Sequence, residues 1–74
     1  MITPEQCRAA RGLLKWTQPA LAEAARVSRD TVRHFENETQ QPQDSTLTVL
    51  KQAFEARGVE FTNGDAPGVR LHKR

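Results

Sequence analysis

Residues 17–36 read TQPALAEAARVSRDTVRHFE, and the way this stretch divides decides the fold. Thr17 is a good N-cap residue, and Pro19 is tolerated in the first turn of a helix. Leu21, Ala22 and Ala25 then form one apolar stripe. Ser28 is a second N-cap, and Val32 and Phe35 carry a second stripe. Val27, just before that cap, occupies the position of a hydrophobic staple. The link between the two patterns, about Ala25-Arg26-Val27, has room only for a tight turn. Arg29, Asp30, Arg33 and His34 fall away from the Val32/Phe35 stripe, on the outer face of the second helix. Each can hydrogen-bond a base edge or a phosphate. A solvated surface helix is the plainer reading of such charges taken alone. The rest of the chain decides against it.

Seventy-four residues make one domain with a small core, so every apolar helix position is needed. The single cysteine, Cys7, forms no internal disulfide, which suits a reducing, cytoplasmic setting. Cys7 shares a face with Ala10 and Leu14 and reads as a small buried hydrophobe, not a nucleophile. The apolar runs are too short for a membrane span or a signal peptide. Net charge is +2, from eleven basic and nine acidic residues, too modest by itself to argue for nucleic acid. Its distribution says more. Three arginines and one acid lie between Arg26 and His34, and the last five residues add Arg70, Lys73 and Arg74.

The first helix opens with Thr3-Pro4-Glu5-Gln6. This is a Thr-x-x-Gln capping box with Pro at the first helical position and Glu facing the macrodipole. Cys7, Ala10, Leu13 and Leu14 are its expected buried set, and Arg8 and Lys15 are expected in solvent. Trp16 reads as a half-buried lid on the core. Residues 37–44, NETQQPQD, are a polar loop. A fourth helix follows, capped by Asp44 or Ser45, with Leu47, Leu50 and Phe54 on its apolar face. Gly58 supplies its stop, with Arg57 in the last turn. The period then changes. Val59-Glu60-Phe61-Thr62 and Val69-Arg70-Leu71-His72 alternate around turn chemistry at 63–68, which predicts a hairpin with a loop of about six residues. Val59, Phe61, Val69 and Leu71 are expected against the helices. The predicted architecture is therefore mainly α: four helices over residues 1–58, then a β-hairpin and basic tail over 59–74 on the same domain.

The chain resembles the phage-repressor and Cro-like helix-turn-helix proteins, the Xre family. The residues that carry the likeness are Arg11, Gln18, Leu21-Ala22, Val27-Ser28, Val32, Glu36, Pro42, Leu47 and Leu50. Their combined spacing is specific; any one alone is weak. The resemblance implies a helical bundle that binds operator DNA, usually as a two-fold dimer. By position, Gln18 meets the DNA backbone at the start of the second helix. Ser28, Arg29, Asp30, Arg33 and His34 face the major groove or its flanking phosphates. Arg11 and Glu36 form an inward ion pair tying the first helix to the third. Two positions depart from the pattern. Where the family commonly carries glycine, this chain has Arg26 and Glu38. Arg26 is expected to turn without positive φ, and the loop at Glu38 to run away from the DNA.

A helix about 10–12 Å across fits the roughly 12 Å major groove. Arg29 or Arg33 suits a bidentate contact to guanine. Asp30 has two uses, accepting from cytosine N4 or orienting a neighbouring arginine. The second is favoured, because a carboxylate near phosphates is costly. His34 suits a base or a phosphate, and the free N–H groups beginning the second helix suit a phosphate. The expected function is a sequence-specific regulator of double-stranded DNA, a repressor acting as a homodimer through residues 28–36. Helix four and the hairpin are the expected dimer contact. An antitoxin with the same DNA face and a toxin partner is the alternative, and a pure protein-interaction module a third class. Neither metal-ligand spacing, nor a phosphate loop, nor a nucleophile–base pair points to an enzyme, a cofactor or a metal.

Overall fold

The computed structural model describes residues 1–72. Its elements are α1 (Pro4–Leu14), α2 (Gln18–Ala25), α3 (Arg29–Glu36), α4 (Asp44–Glu55), β1 (Val59–Thr62) and β2 (Gly68–Leu71). The last two basic residues of the tail, Lys73 and Arg74, lie outside the described residues. No helix among the described residues is long and apolar enough to cross a membrane.

Each of the first three helices begins on the cap its sequence offers. The Thr3 hydroxyl accepts from the Gln6 N–H, and the Gln6 side chain returns the bond to the Thr3 N–H. Thr17 accepts from Ala20 N–H and Ser28 from Thr31 N–H. In α4 the cap is Gln43, one residue before Asp44 and two before Ser45, the two expected caps, and it makes no side-chain bond. Its carbonyl already accepts from Thr46 and Leu47. Asp44 is thereby left as the first helical residue, facing the macrodipole.

The core gathers Cys7 and Ala10 of α1, Leu21, Ala22 and Ala25 of α2, Val32 and Phe35 of α3, and Leu47, Leu50 and Phe54 of α4, joined by Ile2 and Val59. Leu13 is not among them; it is 40% exposed. Leu14, next to it, is the residue of that turn that packs against the core. Leu71, the last residue of β2, is 39% exposed. Trp16 is half-buried, its ring stacked 5.8 Å from Phe54, with the Arg57 guanidinium 5.7 Å from its centroid on the solvent side.

The hairpin pairs Val59 with Leu71 and Phe61 with Val69, and its loop, 63–67, is one residue shorter than expected because Gly68 already belongs to β2. An isolated two-stranded hairpin is marginal in water. Two contacts hold this one. Phe61 meets Phe54 edge-on at 5.8 Å. The buried Gln6 amide donates to the carbonyls of Thr62 (2.8 Å) and Gly68 (3.1 Å), so one glutamine both closes the capping box and docks the hairpin on α1. Gly58 makes the approach to β1 possible. Its φ is +90°, and a Cβ there would stand 3.2 Å from the His72 carbonyl oxygen.

Candidate nucleic-acid interface

α3 has two unlike sides because its apolar residues recur at the helical period. Val32, Phe35 and Glu36 are buried, whereas Arg29, Asp30 and Arg33 are exposed. The inner side is fixed by a polar hub at Glu36. Its carboxylate takes both arms of the Arg11 fork, Nε and Nη2 each at 2.7 Å. It also accepts from Gln18 Nε2 at 2.9 Å and from the Cys7 thiol at 3.1 Å. Arg11 adds a bond to the Trp16 carbonyl. The hub thus joins α1, the chain entering α2, the first residue of α2 and the last residue of α3. Burial alone would raise the Glu36 pKa, but the bonds from Arg11, Gln18 and Cys7 outweigh it and hold the carboxyl below its ordinary range. Burial, with the Glu36 bond adding to it, pushes the Cys7 thiol well up. The sulfur keeps its proton and serves as a donor, a role its apolar face did not reveal.

The turn between α2 and α3 takes positive φ after all. Arg26 sits at φ 59°, ψ 44°, and its N–H bonds back to the carbonyls of Ala22 and Glu23. Glu38, after α3, has φ 59° as well. Both positions demand the left-handed conformation that makes glycine common there, and this chain meets the demand with side chains at a cost of roughly 1–2 kcal/mol each. Both side chains are exposed.

The six residues singled out in the sequence divide into three groups. Ser28, Arg29, Asp30 and Arg33 stand together on the outer face and N-terminal half of α3. The Ser28 hydroxyl caps the helix and lies 2.7 Å from Thr31 Oγ1. Arg33 Nη2 donates to Asp30 Oδ1 at 2.9 Å, while Arg29 has no ion pair among the described residues. His34 leans off this face. Its Nδ1 lies 2.8 Å from Thr39 Oγ1, whose hydroxyl donates to the His34 carbonyl. The bond leaves Nε2 as the ring nitrogen that Thr39 does not engage. Gln18 is at the opposite end of α3, with its amide N–H given to Glu36.

Two neighbours were not visible as site candidates. Thr31, half-buried on α3, lines a groove of about 270 Å³ with His34, Gln40, Gln41, Pro42 and Thr46. Its period placed it between the stripe and the outer face, so no pattern picked it out. Arg8, exposed as expected, also donates to the Glu36 carbonyl and so places a cation at the C-terminus of α3, where the macrodipole favours it. No group of three or more His, Cys, Asp or Glu able to hold a metal occurs among the described residues.

An exposed helix face carrying Arg29 and Arg33, joined by a short turn to a capped preceding helix, has the form of a helix-turn-helix. Comparison with curated proteins gives no match. The family model described as helix-turn-helix matches residues 8–59, from the second turn of α1 to the start of β1. The chain belongs to this phage-repressor and Cro-like (Xre) helix-turn-helix family, a family of DNA-binding transcription regulators.

Proposed function

We propose that the protein is a sequence-specific repressor that places α3 in the major groove of a near-palindromic operator and binds it as a homodimer. The observation that carries this reading is the division of α3. Its inner side is locked by Val32, Phe35 and Glu36, and its outer side presents Arg29, Arg33 and Ser28 on a rigid helix. Arg29 and Arg33 reach base edges or flanking phosphates, and His34 offers Nε2 at the groove margin. The Gln18 backbone N–H, the first-turn amide of α2 that the Thr17 cap leaves over, receives a backbone phosphate. A single module of this kind buries only about 600–1,000 Å² on DNA. A second copy on the neighbouring half-site supplies the rest, joined through α4 and the hairpin, where Leu71 is exposed.

Arg29→Ala and Arg33→Ala each weaken binding to the cognate duplex by about 1–3 kcal/mol, roughly fivefold or more, with the thermal midpoint unchanged. Arg57→Ala, remote from α3, leaves binding intact. Titrations on labelled duplex with parallel sedimentation check both parts. Equal losses from all three variants mean that α3 is not the reading helix. A monomer both free and on DNA removes the dimer. DNA binding that appears only with a co-purifying small protein favours the antitoxin reading instead.

A further inference from the structure

We infer that Asp30 sets base selectivity by holding Arg33 in a guanine-reading orientation, trading affinity for discrimination. The inference deepens the proposed DNA reading and rests on α3 entering the major groove. The pair joins Arg33 Nη2 to Asp30 Oδ1 at 2.9 Å, with side chains 54% and 74% exposed. An ion pair that open adds little to stability, about 0.2–1 kcal/mol. A carboxylate on a face that approaches phosphates is also repelled by every duplex, whatever its sequence. Two outcomes of the contact offset this. An arginine side chain is long and freely rotating, and one fixed partner confines it. The guanidinium also has five N–H donors in a fixed fork. Both two-donor edges of that fork include Nη2, which carries two N–H groups; with one given to Asp30, the second still completes an edge for two parallel bonds to guanine O6 and N7. Asp30 is thus a positioning residue. Its repulsion is felt on all DNA, and its benefit only where a guanine meets Arg33.

These two effects have opposite signs, which separates the inference from simpler roles. A charge in the first turn of α3 also favours the helix macrodipole, but that role does not change which base is preferred. The experiment uses the full chain and a pool of randomised duplexes to read base preference at each position, with a scrambled duplex to read general affinity. For Asp30→Asn, affinity for the scrambled duplex rises, while the guanine preference at one position per half-site falls by about fivefold or more. Asp30→Glu, which can still reach Arg33, retains more of the preference. In an Arg33→Ala background, Asp30→Asn leaves the remaining preferences unchanged, because the coupling is gone. If Asp30→Asn raises affinity on every duplex equally and no preference moves, the inference is overturned and the DNA reading stands. If the unsubstituted protein selects no sequence from the pool, the reading beneath the inference is what fails.

Discussion

Glu36→Ala lowers the stability of the domain by about 3–5 kcal/mol, the usual loss on breaking a buried ion pair from one side. Four donor groups then face an empty site: Nε and Nη2 of Arg11, Nε2 of Gln18 and the Cys7 thiol. A domain of this length has only roughly 4–11 kcal/mol in total, so the loss takes a large share of it. Urea denaturation followed by circular dichroism checks this. A loss below about 1 kcal/mol contradicts the hub. The carboxyl also makes stability depend on acid. Its folded pKa is depressed by the Arg11, Gln18 and Cys7 bonds against the opposing effect of burial. Its contribution is therefore complete above the unfolded value, about 4.3, and is lost as pH falls through the lower folded value. In Glu36→Gln, stability changes less between neutral pH and pH ~3 than in the parent chain.

The second large effect is expected at Phe54. This ring is fully buried, stacked on Trp16 on one side and meeting Phe61 edge-on on the other. Through it α4 holds the Trp16 lid, and it is one of the two contacts, with the Gln6 amide, that hold the hairpin. Phe54→Ala removes about 3–5 kcal/mol by transfer and cavity terms, and the two ring contacts account for part of that loss. Trp16 is the only tryptophan, so its emission reports the change directly. It shifts to the red in native buffer and its transition moves to lower denaturant concentration. Unchanged emission with an unchanged midpoint means that Trp16 and the hairpin are held by something other than Phe54.

Local chemistry in the sequence carries most of this fold. Thr3, Thr17 and Ser28 each sit one residue before their helices, and the stripes of α2, α3 and α4 recur at the helical period, so these elements are visible without any tertiary knowledge. The alternation at Val59–Thr62 and 69–72 marks the hairpin in the same way. The contacts that assemble the pieces are less visible. Gln6 reaches carbonyls 56 and 62 positions away, and Cys7 a carboxylate 29 positions away. A capping box and an apolar stripe account for both residues so well that nothing prompts a search for a distant partner. The Arg11–Glu36 pair is reached only through family likeness, since periodicity does not pair charges across helices. Backbone conformation is hidden too. Arg26 and Glu38 occupy left-handed positions that their residue types disfavour, because the turn geometry outweighs the local preference. On the outer face of α3 the residue types were legible, but their pairing was not. The Asp30–Arg33 bond was one of two open uses for Asp30, and the Thr39 bond that turns His34 aside depends on a loop without pattern.

The central claim is that α3 reads DNA sequence. Its most direct test is a titration of the intact protein on two duplexes of equal composition, one from upstream of its own gene and one scrambled, at about 50 mM and about 200 mM salt. Tight binding to the upstream duplex and weaker binding to the scramble are expected. Both affinities fall steeply with salt, by about a thousandfold if some six phosphates are neutralised. Weak binding that is equal on both duplexes and indifferent to salt would contradict the claim.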